Sequence, residues 1–178
     1  KELVKTRIQE QKAEVKSKLA NIKDEKKKAS VEKIIVKIQQ LNADTVEKLS
    51  KKLNQIEGVL VKIESRVSKA EANKVDVTEV KKEIEKAKTT ISETREALVK
   101  QAQKTYIIDQ TATEENLKAE IKNIRDTFNK DTKSMYEAVK KAHESVRNVA
   151  TSLAKVPKID EQPKQEETTN QEKIIINQ

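Results

Sequence analysis

Ala72-Asn73-Lys74-Val75-Asp76-Val77 separates two runs of apolar residues that step by three and four. Before it come Leu49, Leu53, Ile56, Leu60, Ile63, Val67 and Ala70; from its last residue onward come Val77, Val80, Ile84, Ala87, Ile91, Thr94 and Leu98. That alternation is the heptad a/d pattern, which keeps one narrow stripe of a helix turned toward a partner helix. The residues between the runs carry the chemistry of a stop and a start. Asn73 tolerates the left-handed conformation that ends a helix. Asp76 is a candidate N-cap, Glu79 completes a capping box, and Val75 and Val80 stand at the positions of a hydrophobic staple. A short loop between matched seams predicts an antiparallel helical hairpin over 49–98.

Toward the C-terminus the seam weakens over 101–105, and Tyr106-Ile107-Ile108 forms an apolar clump expected to close the end of the bundle. The polar run Asp109 to Thr113 predicts a second turn, with Thr111 or Thr113 as N-cap. A last long helix is expected over about 114–155. Its seam runs Leu117, Ile121, Ile124, Phe128, Met135, Ala138 or Val139, Ala142, Val146, Val149 and Leu153, with Asp131 as a local weak point. Pro157 and Pro163 end regular structure. Residues 157–178 are polar and predicted to be disordered. Within them Ile174-Ile175-Ile176 reads either as a strand-forming patch or as the start of a further segment.

Toward the N-terminus, residues 1–30 read as a weakly amphipathic helix. Ile8, Val15, Ile22 and Ala29 recur every seven residues beside Val4 and Leu19, but Gln11 or Lys12 and Lys26 make the seam polar. So thin a seam predicts an arm that is frayed, exposed or dependent on a partner. The pattern strengthens at Val31, Ile34, Ile35, Ile38 and Leu41, then falters at Asn42-Ala43-Asp44-Thr45. Asp44 and Glu47 fit a capping box that would start a new helix and fold residues 1–41 back. No Gly or Pro marks a turn there and the seam resumes almost in phase, which favours a continuous or slightly kinked helix. Gly58 lies off the seam and reads as a tolerated surface residue.

The expected fold is therefore all-α: an elongated antiparallel helical bundle or coiled coil of three long helices, four if the first breaks at 42–45. Residues 1–41 form a basic helical arm, 42–156 the hairpin and third helix, and 157–178 the tail. Composition agrees with long elements and few turns. One Gly, two Pro, 2% aromatic and 38% charged residues are the profile of long helices.

The same composition narrows the chemistry. One glycine cannot build a phosphate-binding loop. Without cysteine there is no disulfide or thiolate metal site. His143 is the lone histidine, an ordinary surface residue on a helix face, so no catalytic constellation can be assembled around it. Pairs such as Glu14/Lys18, Glu47/Lys51, Glu96/Lys100 and Glu137/Lys141 have the spacing that supports helices. The chain reads as a non-enzyme with no cofactor, no metal and no small-molecule substrate. The longest apolar runs, such as Ile34-Ile35-Val36, fall far short of the roughly 20 residues that a spanning helix needs.

Charge is uneven. Residues 1–41 carry 12 Lys/Arg against 6 Asp/Glu, residues 42–156 carry 23 against 19, and residues 157–178 carry 3 against 5, for a net charge of +8. Lys23, Lys26, Lys27, Lys28, Lys33 and Lys37 are the candidate polyanion-binding residues; the alternative is a solvated Lys/Glu surface.

The run Leu53, Ile56, Lys62-Ile63-Glu64-Ser65-Arg66-Val67 and Val75-Asp76-Val77-Thr78-Glu79-Val80, with Ala142-His143-Glu144-Ser145-Val146-Arg147-Asn148-Val149-Ala150-Thr151-Ser152-Leu153, resembles uncharacterised helical-hairpin proteins of uncultured, small-genome bacteria of the candidate phyla. The resemblance spans about residues 30–155. This chain departs from it in having Asn73-Lys74 where a Gly usually stands, and less Ala in the later helices. The resemblance implies an exported, extracytoplasmic chain, secreted, periplasmic or in the cell envelope, which fits a start at Lys1 after signal-peptide removal; a cytoplasmic protein is the alternative. It carries no established activity. The expected function is that of a structural or interaction protein of the cell envelope working through helix–helix contacts, with a protein partner or by self-association. The rivals are polyanion binding, to nucleic acid or an anionic wall polymer, and a periplasmic holdase-like chaperone.

Overall fold

The computed structural model describes residues 2–20, 22–109 and 112–156, and the side chains of residues 2–8 and 11 are not among those described. These residues form four helices: α1 (Glu2–Lys18), α2 (Glu25–Ala72), α3 (Thr78–Gln103) and α4 (Leu117–Ala154). The helices α2, α3 and α4 pack on one another, and α1 packs on α2. No described helix is long and apolar enough to cross a membrane. The expected tail, 157–178, lies outside the described residues, as does Thr111.

The turn between α2 and α3 is closed where its chemistry predicts, with two shifts of one residue. Val75 N donates to Ala70 O at 3.0 Å and Lys74 N to Glu71 O at 2.9 Å. This is the Schellman pairing that satisfies the last carbonyls of a helix. The left-handed residue is Lys74, with φ 61°, and not Asn73, whose φ is −85°. Asn73 is instead the last turn's C-cap, so the reversal falls one position later than the side-chain chemistry suggested. The N-cap of α3 is Val77, without a side-chain cap bond, and Asp76 just before it accepts from Thr78 N at 3.0 Å. This bond holds the Asp76 carboxyl below the usual carboxylate range.

From that turn the seams close against each other. Leu53, Ile56, Leu60, Val67 and Ala70 of α2 and Val80, Ile84, Ala87, Ile91 and Leu98 of α3 are buried with Met135, Val139, Ala142, Val146, Val149 and Leu153 of α4 in one core. Pairs between α2 and α3 show the register: Glu71 with Lys81, Glu64 with Lys88 at 2.7 Å, Glu57 with Arg95 at 2.6 Å. The numbers rise on α3 as they fall on α2. Exposed pairs of this kind contribute little stability, so they mark the alignment that the buried seam enforces.

The weak interruption at 42–45 is not a break. Helix α2 runs through it, and its buried polar residues have a different purpose. Helix α3 ends opposite, and its last carbonyls need donors. Asn42 Nδ2 donates to Gln101 O at 3.1 Å, Gln101 Nε2 returns to Asn42 Oδ1 at 2.9 Å, and Gln39 Nε2 donates to Tyr106 O at 3.2 Å. The Tyr106 hydroxyl accepts from Gln101 Nε2 and donates to Asp131 Oδ2 at 2.7 Å, while Lys104 Nζ pairs with Asp131 Oδ1 at 2.7 Å. Burial, with Asp131 beside it, pushes the Tyr106 phenol above its ordinary value. Asp131 is therefore a partner for the end of α3 and not merely a gap in the α4 seam.

Beyond Gln103 the chain is extended, with Lys104 at ψ 141°. Tyr106, Ile108 and Ala112 are buried, so the 106–108 clump does not cap the bundle; it lies along the N-terminal half of α2 in place of a third helix. The described residues 104–109 and 112–116 thus lie outside the helices, more than the expected second turn at 109–113. Thr113 and Asn116 bond reciprocally, Thr113 N to Asn116 Oδ1 at 2.7 Å and Asn116 N to Thr113 Oγ1 at 3.4 Å, and α4 follows.

The N-terminal arm also differs from expectation. A single helix over 1–30 does not form. The chain turns at 19–24 and α1 lies back on α2, with Lys12 3.7 Å from Glu32. The thin seam is sufficient because Val15, Leu19 and Ile22 find Val31, Ile35, Ile108, Ala112 and Leu117 in a second core. The four helices thus arise from a turn at 19–24, not from the alternative at 42–45.

Candidate functional site

The turn at 19–24 gathers four of the six candidate lysines. Asp24 accepts from Lys26 N at 3.0 Å and Lys27 N at 3.1 Å, capping the first turn of α2. Glu114 reaches across from the segment before α4. Its Oε1 accepts from Lys23 N at 3.0 Å and Asp24 N at 3.1 Å, and its Oε2 lies 3.6 Å from Lys27 Nζ. A helix N-terminus favours such carboxylates. The backbone bond from Lys27 holds the Asp24 carboxyl below its ordinary value, and the bonds from Asp24 and then Lys23 do the same for Glu114. Lys27 also stands 3.7 Å from Asp24, and Lys28 pairs with Glu25 at 3.2 Å. Three carboxylates thus stand among Lys23, Lys26, Lys27 and Lys28, and the cluster is a structural joint with little free positive charge.

Lys33 and Lys37 lie elsewhere. They line an open groove between α2 and α4, together with Ile34 and Leu41 of α2 and Arg125 and Phe128 of α4. Leu41 is 38% exposed, among the few large apolar side chains of the described residues left in solvent. Phe128 is half-buried, and its ring meets Tyr106 edge-on at 5.4 Å between centroids. Glu32, which meets α1 through Lys12, falls on the opposite side of α2 by helical spacing. The groove therefore opens away from α1.

The spacing of α4 adds cations that the sequence reading missed. Lys118, Lys122 and Arg125 follow i, i+4, i+7 and share one face of the helix. All three are exposed, as are Lys26, Lys33 and Lys37 on α2, which fall on one face by the same argument. Of the α4 carboxylates nearest in sequence, Glu120 falls outside this stripe, and Asp126, four residues after Lys122, borders it without an ion pair to it. Among the described residues no carboxylate makes an ion pair with Lys33, Lys37, Lys118, Lys122 or Arg125. The first carboxylate along the α2 wall is Asp44, at the mouth of the next stretch of groove, where Lys48, Tyr136, Lys140 and His143 also stand. His143 is exposed there among lysines. Among the described residues no group of three His, Cys, Asp or Glu side chains is placed to hold a metal ion.

The structure thus divides the six candidates: Lys23, Lys26, Lys27 and Lys28 belong to the turn and Lys33 and Lys37 to the groove, with Lys26 on the helix face that leads to the groove. The α4 cations carry a sequence signal, their helical spacing, but nothing in sequence places that stripe beside Lys33 and Lys37. Comparison with known proteins found no matching family model, no matching curated protein and no matching solved structure.

Proposed function

We propose that this chain is a non-enzymatic interaction protein of the cell envelope that works through helix–helix contacts, on an elongated antiparallel coiled coil of α2 and α3 with α4 laid along both. The extracytoplasmic placement rests on the resemblance to exported helical-hairpin proteins. The observation that supports the interaction reading is the outer face of α2. Its inner stripe is spent on α3 and α4, yet Ile34 and Leu41 stand with Phe128 in an open groove between two helices. Such a groove is a seat for another helix.

The test is a photo-crosslinking amino acid at position 41, in cells that express the full chain, with position 96 on α3 as an exposed control. The expected result is a protein adduct at 41 and none at 96. Equal labelling at both positions, or none at either, rejects the reading. The unpaired cations along both walls favour polyanion binding as a second reading; it predicts affinity for an oligonucleotide that falls steeply with salt.

A further inference from the structure

We infer that the α2/α4 groove is a docking site for an acidic amphipathic helix of a partner protein. The inference rests on the interaction reading above and names the partner's chemistry. Two features of the groove must be matched at once. Its floor is aliphatic and aromatic, through Ile34, Leu41 and Phe128. Its walls carry Lys33 and Lys37 on one side and Arg125 on the other, continued upward by Lys26, Lys118 and Lys122. The partner therefore presents an apolar stripe between two acidic flanks. A helix does this with apolar residues at i, i+3, i+4 and i+7 and carboxylates on either side.

The other occupants fit less well. A nucleic acid or wall polymer would satisfy the cations but leave the aliphatic side chains of Leu41 and Ile34 without partners, since bases stack on aromatic rings and Phe128, the one ring in this lining, is half-buried. A second copy would bring the same cations face to face, because a two-fold contact places each patch on itself. Like charges at that distance oppose association. The groove from Ser30 to Leu41 is about 17 Å long, which is about three helical turns.

Charge complementarity also assigns roles to the residues. The lysines and Arg125 attract and orient the acidic flanks, so they govern the salt dependence. Leu41 and Ile34 supply the apolar contact that separates a helix from a featureless polyanion.

The experiment is fluorescence anisotropy on the full chain with four labelled probes. These are a designed helical peptide with a leucine stripe and glutamate flanks, the same stripe with lysine flanks, polyglutamate of equal length, and a single-stranded oligothymidine. The expected result is saturable binding of the first probe alone, weakened at least tenfold by Leu41→Glu and by Lys33→Glu/Lys37→Glu. Leu41, Lys33 and Lys37 are exposed, so thermal melts by circular dichroism should match the parent; Leu41→Ala with Arg125→Gln provides a second, milder pair. Equal binding of polyglutamate or oligothymidine overturns the inference in favour of a polyanion site. Equal binding of the lysine-flanked peptide overturns it in favour of bare apolar contact. A concentration-dependent dimer that Leu41→Glu dissolves assigns the groove to a second copy and also overturns it, as does absence of binding by every probe. Where adducts form at position 41 but the acidic peptide does not bind, the partner's chemistry is wrong and the interaction reading stands; where adducts also fail, the interaction reading falls with it.

Discussion

Lys74 is the residue whose conformation conflicts most directly with its side chain. At φ 61° its Cβ crowds the backbone in a region that costs a non-glycine residue about 1–2 kcal/mol. It is held there because Val75 N and Lys74 N must close the last turn of α2. Lys74→Gly keeps both bonds and relieves the crowding. The expected outcome is a gain of about 1 kcal/mol in urea unfolding, reduced somewhat by glycine's greater freedom in the unfolded chain. A loss of stability would show that the lysine side chain has a partner more valuable than its strain. Asn73 carried the sequence signal for this turn, and the structure places the reversal at its neighbour. The two bonds count residues back from the end of α2, and the propensity of a single side chain does not set that count.

At the scale of the elements, α2 is a spine whose inner stripe changes character along its length. From Leu49 to Ala70 it is aliphatic and faces α3 and α4; before Leu49, Asn42 and Gln39 turn amides toward the end of α3 and the extended chain beyond it. Removing one partner leaves the other buried and unpaired, so Asn42→Ala should destabilise by about 1–3 kcal/mol. Replacing both, as Asn42→Leu/Gln101→Leu, should recover much of that loss while loosening the place where α3 ends, read as broadened amide signals from 101–108. A double-mutant cycle in which the two losses simply add would remove the pair as a unit. The continuity of α2 has its own measurement. The chain has no native cysteine, so Lys33→Cys and Lys69→Cys can carry spin labels on one face of the helix. They lie ten turns apart, about 54 Å, and a narrow distance distribution near that value is expected. A distance well below it would restore the break at 42–45.

For the whole molecule, the joint at 19–24 couples the two ends of the N-terminal core through Glu114 and Asp24. Both carboxyls are held below their ordinary values by backbone N–H groups. Such a group binds fewer protons folded than unfolded. Its stabilising contribution is present above the ordinary carboxylate range, about pH 4, and is lost as pH falls through the lowered folded value. Acidification should therefore loosen the seat of α1 before it opens the α2–α3 turn's aliphatic core, seen as earlier loss of amide protection at residues 12–24 than at 53–67. Glu114→Gln should lower protection at 22–27 already at neutral pH and flatten its acid dependence. Uniform loss across both cores would mean that the joint is not a separate unit.

The amino-acid pattern by itself determined the helical class, the seams and the turn at 72–77. Each of these depends on neighbours within a few residues, through 3.6-residue periodicity and local caps. The tertiary structure alone decided where α2 begins, why its polar interruption is not a break, and which cations share a groove. Asp24 becomes a start because Glu114 arrives from the far side of the molecule, and Asn42 is tolerated because α3 ends against it. Lys33 and Arg125 meet because two separate helices pack side by side. Those contacts join residues distant in the chain, and a single helix's periodicity carries no record of what lies across from it.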